Sequence, residues 1–283
     1  MIDYILSPEA MVLTSGSSKG TQAKYYDNGY WYKENRNGYE GLAEELATKL
    51  LKCSNLNNFA EYERCLVNGK NGCRSKNFLK ENEHLLSFER LHMMNTGMHF
   101  VDAIRTYNTP EERIKYTIEF MKECTGFDVS SYLGNILMFD AVILNQDRHF
   151  NNLCIIMNQK TGEVSECPIF DNGDSLLSNF GKFPPMEDLQ ENLNHCVSLP
   201  FSANAFLQAN ILSSTLKFDY NAIKKMLEEE KECRAIEVLR HQIQQYRSII
   251  PEKEETELEK FIRNTDTMTY SNRKDDSSFS FER

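Results

Sequence analysis

The sequence feature that most constrains the fold is a strongly apolar segment that ends in a polar loop. Residues 130–144 predict a helix, because apolar side chains fill most positions and Asp140 is the one charge. The run is too short to cross a bilayer. The polar loop Asn145-Gln-Asp-Arg-His-Phe-Asn-Asn152 follows, and residues 153–157 and 164–170 then predict two short strands joined by a turn. The second half of the chain should therefore contain a helix, a polar loop and a hairpin, in that order.

Three side chains in and after this loop have the spacing that phosphoryl transfer requires. Asp147 can accept or orient the proton of an attacking hydroxyl, and Asn152 and Asp171 can hold Mg²⁺ against nucleotide phosphates. The alternative is a solvated loop of Asx turns, since Asp and Asn are common turn residues. The apolar helix before the loop and Asp171 after the hairpin favour the catalytic interpretation.

The first half of the chain contains elements that suit a nucleotide. Residues 14–24 are rich in Gly and Ser, which lets backbone amides approach phosphate oxygens, although neither G-x-x-x-x-G-K-[ST] nor G-x-G-x-x-G occurs there. Aromatic runs on both sides of Asn28-Gly29 predict a β-hairpin that ends at Lys33. A helix is expected over residues 39–52. We expect Lys33 to pair with Glu40 on that helix, with Glu44 as the second choice.

Charge and composition limit the class of protein. The 283 residues include 32 basic and 42 acidic side chains, a net charge of −10, which argues against general adhesion to nucleic acid or to anionic membranes. Neither a signal peptide nor a transmembrane run is visible. The eight cysteines form no C-x-x-C pair, so we expect reduced thiols and no zinc site. These features predict a cytoplasmic protein, and export to a host cell stays open.

Local patterns also predict the remaining elements and the division of the chain. Strands are expected over residues 59–67 and 73–79, and helical sequence from about residue 83. Further helices are expected over residues 111–124, 205–216, 220–230 and 233–249. The order predicts an α+β, two-lobed protein-kinase-like fold, with a small β-rich N-lobe over residues 1–82 and a larger helical C-lobe over residues 83–283.

Taken together, these segments resemble the HipA-like family of serine/threonine kinases. The matching stretches are residues 17–24, Lys33, residues 145–152 and residues 168–173. The resemblance implies a compact bacterial kinase core that uses ATP and Mg²⁺, with Asp147 as the catalytic Asp and Asn152 and Asp171 as metal ligands. It implies that the following residues contact ATP: Ser17, Ser18, Gly20, Gln22, Lys24, Lys33, Glu40 and His149. It also implies autophosphorylation of the phosphate loop at Ser17, with Ser18 as a neighbour that could substitute.

Several alternatives stay open at this point. Phosphoinositide kinases share the pattern Asp-Arg-His-x-x-Asn, so a lipid kinase is the nearest enzymatic rival. A nucleotide-binding module without catalysis on a kinase fold is the nonenzymatic one. The sequence does not reveal the protein substrate. The chain begins almost at the phosphate loop and lacks the extra N-terminal subdomain of larger family members, so the resemblance does not carry over the docking surfaces of that subdomain. An antitoxin-like partner is for this reason an open alternative and not an expectation. Direct binding of nucleic acid and insertion into a membrane are not expected.

Overall fold

The N-terminal part of the chain, up to Lys76, forms a five-stranded sheet with one helix packed against it. The computed structural model describes residues 1–12 and 22–254. The strands have the order β1-β4-β5-β3-β2, in which β1 runs parallel to β4 and the other neighbours are antiparallel. Their bounds are β1 Asp3–Tyr4, β2 Lys24–Asp27, β3 Tyr30–Glu34, β4 Tyr62–Val67 and β5 Lys70–Lys76, with helix α1 at Glu40–Lys52 between β3 and β4.

Two Asn-Gly pairs close the hairpins of this sheet. Asn28 and Gly29 join β2 to β3, and Asn68 and Gly69 join β4 to β5, all four with positive φ angles. Asn and Gly tolerate this left-handed conformation, which the tight two-residue hairpin turn requires. The first turn was predicted from the sequence, and it places Lys33 near the end of β3.

Helix α1 lies unusually close to the sheet because glycines face each other. A Cβ atom on Gly41 would lie 2.5 Å from the carbonyl oxygen of Gly72 in β5. The side chains of Leu46, Leu50 and Leu51 are fully buried on the apolar face of α1. This close approach brings the start of α1 alongside the end of β3.

The second half of the chain is helical around a small three-stranded sheet. That sheet has the order β6-β7-β8 and is antiparallel. Helix α5 is buried from Tyr132 to Ile143, because it is apolar on all sides and other elements surround it. The remaining bounds are β6 Glu83–Ser87, α2 Phe88–Thr96, α3 Phe100–Ile104, α4 Pro110–Thr125, α5 Ser130–Ile143, β7 Cys154–Asn158, β8 Val164–Glu166, α6 Leu189–Asn194, α7 Ala205–Ala209, α8 Tyr220–Glu229 and α9 Arg234–Tyr246.

The α+β architecture with a β-rich and a helical part confirms the predicted fold class, but some local predictions were wrong. Residues 83–87 form a strand instead of helix, because they pair with β7 across the chain, and the Ser87 hydroxyl then caps α2 by accepting from the Arg90 amide. The helix expected over residues 205–216 ends at Ala209. Beyond it, the Thr215 amide donates to the Asn135 side chain, which holds the chain in another direction. Within the described residues, no helix is long and apolar enough to span a bilayer.

Candidate active site

The polar loop after α5 is held by the end of that helix. Leu144 adopts a left-handed conformation, with φ of 54°, which ends α5. The Asn145 side chain then bridges the turn, since its amide nitrogen donates to Asp140 Oδ1 at 3.0 Å and its oxygen accepts from the Asp147 amide at 3.0 Å. The loop leaves the Asp147 side chain 51% exposed, while Asn145 is buried. Asp147 is thus presented to solvent on a fixed backbone.

Arg148 is the central hydrogen-bond donor of the loop, and it is fully buried. Its Nε and Nη2 atoms donate to the two carboxylate oxygens of Asp140 at 2.8 and 2.9 Å. The remaining donors reach the Phe170 carbonyl at 2.6 Å and Asn172 Oδ1 at 2.7 Å. A buried charge needs such pairing, and a bidentate Arg–carboxylate contact supplies it with fixed geometry. Arg148 therefore holds the loop and the backbone on both sides of Asp171 at a fixed separation.

Asn152 and Asp171 lie on either side of this Arg148 network. The Asn152 side-chain nitrogen donates to the Asp147 carbonyl at 2.9 Å, which leaves its oxygen as the group that can act as a ligand. Asp171 has a left-handed backbone, with φ of 58°. Its carboxylate pairs with Lys33 at 2.5 Å and with Lys24 at 3.8 Å. The strands β2 and β3 thus deliver two cations to the Asp that follows β8.

Lys33 pairs with Glu44 and not with Glu40, which corrects the sequence-based choice. The Lys33 ammonium lies 2.7 Å from Glu44 Oε1, and both side chains are buried. Glu44 Oε2 accepts from the Asn172 amide at 2.9 Å. Glu40 is the first residue of α1 and turns back to accept from the Asn37 amide at 2.7 Å, so Glu44, one turn further along, is the residue that faces Lys33.

The charged groups of this cluster shift one another's pKa values. Burial alone would raise the pKa of Asp171, but Lys24 and Lys33 outweigh it and lower that pKa well below its usual range. Burial likewise disfavours the charged form of Lys33, yet Asp171 and Glu44 raise its pKa well above its usual value. Desolvation in the cleft, with a contribution from Asp171, raises the pKa of Asp147 although His149 opposes the shift. A raised pKa brings a carboxylate closer to the range of a general base.

One cleft collects most of the predicted site residues. It is lined by Gln22, Lys24, Arg36, Glu40, Asp147, His149, Asn152, Asp171, Gly173, Asp174 and Asn179. Lys33 is buried behind the lining of the cleft, where its ammonium contacts the Asp171 carboxylate. The predicted residues Ser17, Ser18 and Gly20 lie outside the described residues.

Sequence reasoning missed several members of the site. Asp140 was noted only as a charge in an apolar run, yet a lone carboxylate on a buried helix signals a buried cationic partner, here Arg148. Asp174 and Asn179 line the cleft, and nothing in their local pattern distinguished them from turn residues. Arg36 also lines the cleft from the link between β3 and α1.

The cleft presents oxygen atoms that suit coordination of a divalent cation or hydrogen bonds from hydroxyl groups. Glu40 Oε2 and Asp174 Oδ1 are buried and have no hydrogen-bond partner. Within residues 1–12 and 22–254, no group of three or more His, Cys, Asp or Glu side chains could hold a metal ion by itself. Mg²⁺ keeps waters and takes one or two protein oxygens together with phosphate oxygens. Asn152 and Asp171 fit that demand, with Lys24 and Arg36 facing the same space.

The fold is similar to that of a solved kinase. The structure of CtkA, a proinflammatory kinase of Helicobacter pylori, matches with a TM-score of 0.60 and 15% sequence identity, over 88% of this chain and 94% of that chain. The chain shares the fold of this kinase. The two-lobed kinase fold predicted from the HipA-like resemblance is thereby confirmed.

A second solved structure matches less well. It is a toxin–antitoxin complex of HipA, HipB and operator DNA from Shewanella oneidensis, with a TM-score of 0.39 and 10% identity over 90% of this chain and 62% of that chain. A scan of protein-family models finds no match to the sequence, and a search of curated proteins finds no significant similarity.

Proposed function

We propose that the chain is an ATP-dependent serine/threonine protein kinase of HipA-like type. The observation that carries the proposal is the convergence on one cleft of Asp147, Asn152 and Asp171, with the Lys33–Glu44 ion pair directly behind Asp171. The fold alone supports a phosphotransferase in general terms. The choice of a protein hydroxyl as acceptor and the use of ATP are our inference from the site residues.

The residues of the cleft would have different roles in the proposed phosphate transfer. Asp147 is exposed at the mouth of the cleft, where it can orient an acceptor hydroxyl and take its proton, and its raised pKa makes it a stronger base. Lys24 and Arg36 line the cleft and would face the phosphates. Lys33, held by Glu44, would contact the same groups, and Gln22, Glu40 and His149 would complete the nucleotide-binding surface.

Asn152 and Asp171 would hold Mg²⁺. When bound, the cation supplies neutralisation of the charge that develops on the phosphate oxygens. The unpartnered oxygen of Asp174 in the same cleft suits a water molecule of the hydrated ion. Lys33, which lies 2.5 Å from Asp171, balances the charge of that carboxylate when the ion is absent.

We also propose autophosphorylation of the phosphate loop at Ser17, with Ser18 as the neighbour that could substitute. The described chain resumes at Gln22, which donates to the Glu34 carbonyl at 2.6 Å and lines the cleft, so the residue that directly follows the proposed phosphate loop lies among the site residues. We retain the boundary between residues 82 and 83, a cytoplasmic location and ATP as the small-molecule partner as parts of the proposal. An antitoxin-like partner stays an open alternative.

The proposal is tested by incubating the purified chain with Mg²⁺ and labelled ATP, followed by mass spectrometry of the protein. We expect label on the chain itself, with the modified peptide at residues 14–24. Asp147→Asn and Asp171→Asn should each abolish the label, because one removes the base and the other a metal ligand. Asp102→Asn is the matched control, since this exposed Asp pairs with Arg105 at the surface.

The same assay separates the rival acceptors. Transfer to phosphoinositide vesicles, with none to the chain or to a mixture of proteins, would assign a lipid kinase. Nucleotide binding without transfer to any acceptor, and unchanged in Asp147→Asn, would assign a nonenzymatic module. Either result would end the protein-kinase proposal.

A further inference from the structure

The segment that follows the site exposes a group of apolar side chains. Val197, Leu199, Phe206 and Leu207 are 53, 40, 50 and 45% exposed, all within eleven residues. Single exposed apolar residues need no explanation, but a local concentration marks an interaction site. We call residues 197–207 the apolar platform.

The apolar platform packs directly against the polar loop of residues 145–152 that follows α5. The Phe201 ring is buried against the Phe150 ring of that loop, with 5.6 Å between centroids. Just before the platform, the Cys196 thiol lies 4.0 Å from the Leu144 carbonyl, where α5 ends. The Phe201 carbonyl also accepts from Arg113 at 2.9 Å. A molecule lying on the platform therefore lies beside the loop that presents Asp147.

A buried glutamine fixes the shape of the platform. Gln208 is 1% exposed, and its amide nitrogen donates to the Ser198 hydroxyl and to the Leu199 carbonyl, the latter at 2.8 Å. Its oxygen accepts from the Phe201 and Ser202 amides at 3.2 Å each. Ser198 and Phe201 are buried, whereas Val197 and Leu199 are exposed to solvent. The exposure of these apolar side chains thus belongs to a built, hydrogen-bonded conformation.

The charges carried by the chain segment that holds the platform have one sign, although Arg113 of α4 reaches the Phe201 carbonyl from outside that segment. Residues 183–216 contain no Lys or Arg, although they contain Glu187, Asp188 and Glu191. All three carboxylates are exposed, immediately before and within α6. The segment that packs against the loop after α5 therefore combines exposed apolar side chains with exposed carboxylates.

We propose that the apolar platform and the carboxylates of residues 187–191 bind the protein substrate through a segment that carries basic and apolar side chains next to the accepting hydroxyl. The inference rests on the proposed kinase function and adds the chemistry of its substrate. Charge complementarity selects a basic partner, and it disfavours an anionic membrane and a second copy of this chain, whose net charge is −10.

The test uses the full chain and two labelled synthetic peptides. Both peptides contain one serine and two leucines at the same positions. The arginine peptide carries arginines at the charged positions, and the glutamate peptide carries glutamates there. Fluorescence anisotropy measures binding without nucleotide, and phosphate transfer is measured separately. We expect the arginine peptide to bind about tenfold more tightly, and to have the lower KM.

Variants of the platform locate the binding surface. Val197→Ser with Leu199→Ser should weaken binding of the arginine peptide about tenfold, because apolar contact area is lost. Glu187→Lys with Glu191→Lys should remove the preference for arginine. Met94→Ser, on the exposed face of α2, is the matched control and should bind like the wild type. Unchanged thermal unfolding verifies that each variant is folded.

Each contrary outcome is informative. Equal binding of both peptides, or no binding of either, would overturn the proposal, as would platform variants that bind like the Met94 control. A concentration-dependent dimer, or binding to phosphatidylserine vesicles, that the platform variants abolish would assign the surface to another partner. If the wild type binds the arginine peptide selectively but transfers no phosphate to any acceptor, the kinase function fails while the binding surface stands.

Discussion

Arg148 gives the clearest energetic prediction of the structure. Arg148 and Asp140 are 0% and 1% exposed as side chains, and their contact is bidentate. Arg148→Met keeps a side chain of similar length but leaves the Asp140 charge buried without its partner. Removal of one member of a buried pair costs about 3–5 kcal/mol. The Phe170 carbonyl and the Asn172 side chain also lose a donor, and each such loss adds about 1–3 kcal/mol when no water replaces it.

Urea-induced unfolding, followed by circular dichroism, measures this loss. A domain is stable by about 5–15 kcal/mol in total, so the variant should unfold at a much lower urea concentration. Arg105→Met is the control, because Arg105 and Asp102 form an exposed pair 72% and 51% accessible, and it should cost less than about 1 kcal/mol. In a double-mutant cycle, the loss of unfolding free energy in Asp140→Leu with Arg148→Met should be smaller than the sum of the losses in the two single variants. The difference should be about 1–3 kcal/mol. A loss below about 1 kcal/mol for Arg148→Met, or strict additivity in the cycle, would refute the reasoning.

Two further predictions concern the charges behind the cleft. Glu44→Gln should lower kcat/KM for the proposed phosphate transfer about 100-fold, since Lys33 loses the group that positions it. Glu40→Gln should lower it less, because Glu40 accepts from the Asn37 amide and does not hold Lys33. Steady-state kinetics on both variants would contradict the structure if the order were reversed. The pKa of Asp171 is depressed in the folded chain, so its charge contributes stability that is present above about pH 4, the ordinary range of an Asp, and is lost as pH falls below it. Unfolding measured at pH 6 and pH 3 should therefore show a smaller acid-induced loss for Asp171→Asn than for the wild type, and equal losses would argue against the ion pairs with Lys33 and Lys24.

The polar loop after α5 could be anticipated because the sequence signal for it is local. Asp147 and Asn152 are five residues apart in one loop, and Asp171 follows a short hairpin, so spacing alone suggests that they meet. The partner of Lys33 could not be chosen in this way. Glu40 and Glu44 lie on one helix one turn apart, and the choice depends on how α1 is placed on the sheet, which the contact between Gly41 and Gly72 decides.

Other errors have the same tertiary origin. Residues 83–87 have a sequence that permits helix, and their pairing with β7, which lies 67 to 75 residues further along the chain, makes them a strand. The role of Gln208 could not be read from its neighbours, because its four hydrogen bonds reach a loop that precedes α7. Local pattern predicts which residues carry charge or apolar surface, and packing decides which of them meet.

The burial of α1 has a consequence for how the molecule unfolds. Leu46, Leu50 and Leu51 of α1 belong to the same buried cluster as Ile236 and Leu239 of α9. Lys49 of α1 also pairs with Glu230, just after α8. The β-rich and helical parts share this buried cluster, so we expect them to unfold together in one transition. A fragment that ends at residue 82 would leave those leucines in water and should not hold its fold alone.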